Sequence, residues 1–284
     1  MSGDGFCNLV VALFAEARPL IERLHLVEAG DAAPFRLFQG DGVRLVVTGV
    51  GRLQAAAACG YLHRVGGSVR DDAWLNVGVA GHATLALGSV RWVQSVREAA
   101  DSSVPNRWFP QWVGAPLCAA APLLTVDRPV DFAAGTETAV DDRLPSELYD
   151  MECSAFMAVC SRVSSLELVH AIKVVSDNGA SGTAEVTPAR VTEWIRAALP
   201  VVERCVYDLR ELASAQRRVL AAPSGEAELL QQHRFSVTQQ RELTRLLRRW
   251  DALQGTSVLE YVAECADGRA VLSSLRTATE GQPL

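Results

Sequence analysis

From residue 7 to about residue 212, short apolar runs suited to strands alternate with segments of helical period. That alternation restricts the fold more than any other feature of the chain. Residues 7–15 (CNLVVALFA) form an unbroken apolar run, the pattern of a buried first strand. A helix is expected to follow near Glu16, with Leu20, Ile21 and Leu24 on one face. Residues 35–38 and 43–48 read as a hairpin or two adjacent strands about Gly40-Asp41-Gly42. An Ala-rich helix is expected over 52–65, and strands over 73–79, 88–96, 123–126 and 168–175. A helix spans about 152–163. Another, long one opens at Thr187-Pro188, with Thr187 as N-cap and Pro188 in the first turn. Val191, Trp194, Ile195, Ala198 and Val202 form its apolar face, and Pro200 is expected to kink it. Strand and helix in turn imply an α/β sandwich with a largely parallel or mixed central sheet. In such sheets ligands bind at the strand C-termini.

The pattern changes after Ala213. Residues 221–225 (AAPSG) have the composition of a linker. Beyond it, Ser236 and Gln239 are spaced as a capping box, and Leu243, Leu246, Leu247, Trp250 and Leu253 make an amphipathic stripe. Arg241, Arg245, Arg248 and Arg249 crowd the same helix, and the last ten residues are expected to fray. The division is thus a domain over 1–213 and a helical extension over 214–284, read as an extra helical layer or a separate interaction module.

A chain of 284 residues, 49% hydrophobic, can bury a large core. A net charge of −6 lacks the basic footprint of a nucleic-acid binder. The seven cysteines are scattered without a C-x-x-C pair, as expected of reduced, mostly buried thiols, and no metal-ligand pattern appears. The first residues have no basic n-region, and the apolar run ending at Ala15 is too short to span a bilayer. The chain therefore reads as cytoplasmic, with no membrane partner.

Five segments carry candidate chemistry. Gly49-Val50-Gly51 lies between a strand and a helix, suited to a tight turn or to close approach of backbone to a ligand. Asn76-Val77-Gly78-Val79-Ala80-Gly81 is a second strand end rich in small residues; two such ends in one sheet favour a pocket between them. Tyr149-Asp150-Met151-Glu152 precedes a helix. Its acids either serve the helix dipole or, as a carboxylate accepting two hydrogen bonds, suit the vicinal hydroxyls of a ribose. Ser176-Asp177 follows an apolar strand, where the aspartate either makes a turn or protonates a leaving group. Glu16 is either a first-turn glutamate or a group that orients or deprotonates water.

The order of these segments resembles the nucleoside phosphorylase and nucleosidase superfamily over about residues 7–212. The segments that carry the resemblance are ALFAEARPLI with Glu16, TGVGRLQAAAA (48–58), LNVGVAGHATLALGSV (75–90), YDMECSAFMAVC (149–160) and VVSDNGASG (174–182). Within the superfamily the chain looks closest to futalosine hydrolase and methylthioadenosine/S-adenosylhomocysteine nucleosidase. The phosphorylase-like protein of hopanoid synthesis is also similar. The resemblance implies a three-layer α/β/α sandwich with a mixed central sheet, a nucleoside substrate, no cofactor or metal, and a homodimer or larger homo-oligomer. It implies that Glu16 activates water, that Met151 packs under the ribose and that Glu152 binds its hydroxyls. Asp177, helped by Ser176, would receive the departing base, and Gly78, Val79, Ala80 and Gly81 would line the pocket.

Phosphorylases of this kind carry arginine where this chain has Asn76 and often serine where it has Val79, so hydrolysis is expected over phosphorolysis. His82 takes the place of a small residue, and Ser89 stands where many nucleosidases have Asp. Trp108, Phe109 and Phe132 are candidates for stacking on the base or for the core. A phosphate-dependent phosphorylase and a non-catalytic nucleoside-binding scaffold stay open beside the hydrolase of a purine-type or modified ribonucleoside.

Overall fold

The apolar runs of the first 180 residues pair into one mixed sheet. The computed structural model describes residues 5–30, 34–67, 71–99, 106–130, 146–253 and 256–279. The chain divides into two compact units, Met1–Arg217 and Arg218–Leu284. The strands of the first unit are β1 (Cys7–Val11), β2 (Val27–Glu28), β3 (Arg36–Gly40), β4 (Val43–Val47) and β5 (Ala73–His82). They continue with β6 (Val90–Glu98), β7 (Arg107–Trp108), β8 (Ala120–Thr125), β9 (Leu148–Asp150) and β10 (Val169–Asp177). Its helices are α1 (Phe14–Arg23), α2 (Arg52–Val65), α3 (Cys153–Val163) and α4 (Pro188–Leu220), whose last residues lie past the division.

The first apolar run is shorter as a strand than expected. It stops at Val11, and α1 already begins at Phe14. Helix α4 continues through Pro200 for 33 residues. At its start Thr187 Oγ1 accepts the Arg190 N–H at 3.4 Å, as expected of an N-cap.

Strand β1 pairs in parallel with β4 and β5, and β5 pairs in parallel with β10 from Trp74↔Val169 to Ala80↔Val175. β6 runs antiparallel to β10 and parallel to β8; β8 pairs with β9, and β9 returns antiparallel to β5 at Gly81 and His82. Five strands thus close on one another, a feature that strand and helix alternation does not encode. The closure is possible because β1 ends beside Asn76, which leaves the end of β5 for β9.

Alternation along the central strands explains their unbroken apolar runs. Leu9, Val11, Leu75, Val77, Ile172 and Val174 share one core with Ala17 and Leu20 of α1 and Val191, Ile195, Ala198 and Val202 of α4. Val10, Trp74, Val169, Ala171 and Val175 share another with Ala58, Cys59 and Leu62 of α2 and Phe156, Met157 and Cys160 of α3. Each strand face meets helices, so neither face can be polar. The cysteines follow the same rule: all seven are free thiols, and Cys7, Cys59, Cys153, Cys160 and Cys205 are buried.

The second unit contains α5 (Glu226–Gln232), α6 (Val237–Leu253), α7 (Val258–Tyr261) and α8 (Gly268–Thr279). Its core gathers Leu229, Leu243, Leu246, Leu247, Trp250, Val258, Val271 and Leu275. Ser236 and Gln239 bond reciprocally, the Ser236 N–H to Gln239 Oε1 at 2.8 Å and the Gln239 N–H to Ser236 Oγ at 3.3 Å. Helix α8 occupies positions 275–279, where fraying was expected. Arg241, Arg245 and Arg248 lie on the exposed side of α6. Among the described residues, no helix is long and apolar enough to cross a membrane.

Candidate functional site

Strand ends and helix starts meet around a cavity of about 260 Å³ in the first unit. Glu16, Val79, Ala80, Gly81, Met151, Glu152, Ser176 and Asp177 all line it. Val50, between the two glycines of the early turn, lines it as well. Gly78 does not; it lies behind Glu16, and a Cβ there would stand 2.9 Å from Glu16 Oε1 and 3.5 Å from Lys173 Nζ.

Glu16 is held by backbone N–H groups. Its Oε2 accepts the N–H groups of Ala12 (2.9 Å) and Leu13 (2.8 Å), and its Oε1 accepts that of Val79 (3.0 Å). It serves the start of α1 and faces the cavity at once. A carboxylate has about four lone-pair sites. Three are occupied, and the open one, on Oε1, can accept a proton from water. Burial pushes its carboxyl above the ordinary range, against the pull of the N–H donors and the Lys173 charge.

Glu152 is the N-cap residue of α3, yet its side chain makes no capping bond. Its Oε1 accepts the Gly51 N–H at 2.7 Å and its Oε2 the Met151 N–H at 3.3 Å. One lone-pair site therefore stays open on each oxygen, the pattern that two adjacent hydroxyls require. Gly51 has φ +103°, a left-handed conformation that favours glycine and turns its N–H toward Glu152. Burial and the Asp150 charge push Glu152 up to about 7, with Lys173 and the Gly51 N–H opposing.

Asp177 ends β10 and accepts the Ser176 hydroxyl on Oδ1 at 2.6 Å; both residues are buried. Their place at the C-terminal end of a central strand follows from the parallel β5–β10 pair.

Sequence reasoning missed Lys173. Its side chain is 2% exposed and its Nζ lies 2.8 Å from Asp150 Oδ2. Burial works to lower its pKa, but Asp150, Cys153 and Glu152 together outweigh burial and leave it raised, so the ammonium is retained. The signal was present in the strand HAIKVV: a lysine in a fully buried run needs a buried partner.

Other expected residues lie elsewhere. Asn76 is buried away from the cavity, its Nδ2 donating to the Val10 carbonyl at 3.0 Å. The His82 ring does not line it either; its Nδ1 accepts the N–H groups of Thr84 and Leu85, both at 3.0 Å. Trp108 lines a separate hollow with Arg52, and Phe109 is 52% exposed. Neither is in position to stack on a ligand in the cavity, and Phe132 is outside the described residues. Arg52 pairs with Glu98 and Asp127. Among the described residues that line the cavity there is neither arginine nor lysine. Among the described residues no three His, Cys, Asp or Glu side chains gather as around a metal ion.

No family model and no curated protein matches the sequence. Solved structures do match. The apo 5′-methylthioadenosine nucleosidase of Arabidopsis thaliana aligns with a TM-score of 0.59 at 20% identity, over 72% of this chain and 96% of that one. The Neisseria meningitidis 5′-methylthioadenosine/S-adenosylhomocysteine nucleosidase in complex with methylthio-immucillin-A gives 0.56 at 17% identity, over 70% and 99%. Futalosine hydrolase of Helicobacter pylori gives 0.57 at 12% identity, over 72% and 98%. The chain has the mixed α/β fold of these nucleosidases, with a helical C-terminal region beyond it.

Proposed function

We propose that the chain hydrolyses the N-glycosidic bond of a purine-type or modified ribonucleoside and releases the free base. One observation carries this reading: Glu16, Glu152 and Asp177 line a single cavity that no described arginine or lysine lines. Glu152 holds the 2′- and 3′-hydroxyls through its two open lone pairs, over Met151. Glu16 takes a proton from water, whose oxygen bonds to C1′ as the bond from C1′ to the base nitrogen breaks. The electron pair leaves with the base, and Asp177 protonates it or hydrogen-bonds to it. Positive charge builds on the sugar in the transition state, and the buried carboxylates favour it.

An anionic co-substrate such as phosphate would need a cation here. The Lys173 ammonium lies behind the cavity, engaged with Asp150. Hydrolysis is therefore favoured over phosphorolysis. The matched nucleosidases, one of them bound to a nucleoside analogue, support the substrate class.

Base release measured with and without phosphate tests the proposal. Release is expected at equal rates in both, with free ribose as co-product. Glu16→Gln and Asp177→Asn are each expected to slow it by about 10²–10⁴-fold, the usual contribution of a positioned acid or base. A phosphate requirement with a ribose-1-phosphate product would replace the hydrolase with a phosphorylase. Unchanged rates in both variants would remove the catalytic assignment.

A further inference from the structure

Helix α3 begins with N–H groups that need acceptors, and its N-cap residue is the very glutamate proposed to grip the sugar. An acid at a helix start ordinarily bonds to those N–H groups. Glu152 does not, because two other residues do so in its place. Asp150 Oδ2 accepts the Cys153 N–H at 2.9 Å. Thr125 Oγ1, from the end of β8, accepts the Ser154 N–H at 2.9 Å and donates its own proton to Asp150 Oδ1 at 2.8 Å. Thr125 is fully buried, and Asp150 and Ser154 nearly so. The Thr125↔Asp150 pairing of β8 and β9 fixes the hydroxyl at this point.

We propose that Thr125 is a positioning residue that caps α3 from a distant strand and so keeps the Glu152 carboxylate turned to the substrate. The proposal rests on the nucleosidase reading above and deepens it: selectivity for ribose hydroxyls depends on a threonine that does not itself line the cavity. Removing the hydroxyl leaves the Ser154 N–H buried without an acceptor. Asp150 keeps its Oδ2 on Cys153 and Lys173, and Glu152, the N-cap residue two positions before that N–H, has open lone pairs with which to take it. Once it turns to that N–H, it no longer accepts from both sugar hydroxyls.

The test compares kcat/KM for a ribonucleoside and its 2′-deoxy counterpart. The wild-type chain is expected to prefer the ribonucleoside. Thr125→Val, which keeps shape and loses the hydroxyl, is expected to cut that preference about ten- to a hundredfold, mainly through KM for the ribonucleoside. Thr125→Ser is expected to restore it. General destabilisation would lower both substrates alike and leave the ratio intact. If Thr125→Val does not fold, Thr125→Cys offers a similar shape with a weak hydrogen-bonding group and is expected to lower the ratio in the same direction. A folded Val or Cys variant that keeps the wild-type ratio overturns the proposal. Wild-type protein that releases no base overturns the nucleosidase reading itself, which separates the two failures.

Discussion

Glu152 is placed where an acid commonly serves its helix, and its surroundings decide otherwise. Two of its four acceptor sites are filled by Gly51 and Met151, and the remaining two are split between its oxygens. The same burial that surrounds the proposed grip makes it sensitive to pH. With the carboxyl pushed up to about 7, a large share of the free protein is protonated at Glu152 below neutrality. A protonated carboxyl can no longer accept from two hydroxyls at full strength. The expected outcome is that kcat/KM for a ribonucleoside rises with pH through a limb near 7, and that kcat, read on the loaded protein, shows a weaker one. Glu152→Gln should abolish the limb and lower kcat/KM at pH 8 by about tenfold or more, as expected for lost charged hydrogen bonds. The profile is checked with initial rates from pH 5.5 to 9. A limb near 7 that persists in Glu152→Gln would assign that titration to another group.

Strand β10 shows how much an element states about itself in sequence. Its length, its apolar character and its ending in Ser176-Asp177 were legible, because a buried parallel strand leaves few residue choices. Its two charged or titratable interior residues were not, because what surrounds them is set by the fold and not by β10 itself. Lys173 meets Asp150 from β9, and β9 was not anticipated: three residues are too few for a period to show. Thr125 was unreadable for the same reason, since it acts on a helix 28 residues later. His170, the other such residue, packs 4.6 Å from Trp92 and 5.3 Å from Trp112, ring centre to ring centre. Its Nε2 bonds to the Glu167 carbonyl at 2.9 Å and so carries the proton, while its buried Nδ1 has no hydrogen-bond partner among the described residues. A second proton on Nδ1 would find no acceptor, and burial lowers the pKa to about 4. An unfolded histidine titrates near 6.5. Between the two values the unfolded chain binds more protons, so stability is lost as pH falls from about 6.5 to 4. Unfolding of the first unit in urea at pH 7 and at pH 4.5 should therefore differ less in His170→Phe than in wild type, by about 2 kcal/mol. An equal difference in both would mean that His170 is charged in the folded state or relieved by a local shift.

At the scale of the whole molecule the chain holds two sets of core residues. The first unit's two large clusters draw on residues up to Ala213, while the second unit's cluster begins at Leu229 and ends at Leu275, with Ala278 packed against it. In the sequence the composition breaks near 213, and the AAPSG segment follows at 221–225. The closed ring of five strands left no such mark, since pairing between distant segments has no local signature. A unit of about 67 residues is expected to be stable by only about 3–10 kcal/mol. Trp250 carries much of that. It is 3% exposed, packs at a tilt 4.5 Å from Tyr261, ring centre to ring centre, and donates its indole N–H to the Thr256 carbonyl at 3.1 Å. Truncating a buried tryptophan to alanine costs about 3–5 kcal/mol. That is comparable with the whole stability of the unit, so Trp250→Ala is expected to unfold the second unit at 37 °C. The first unit keeps both of its cores and all of its proposed site residues. Calorimetry of the wild-type chain should then show two transitions, of which Trp250→Ala removes or lowers one while base release at 25 °C stays within about twofold. A single transition that shifts as a whole would mean that the two units unfold as one. Loss of base release with the first transition intact would give the second unit a part in the site.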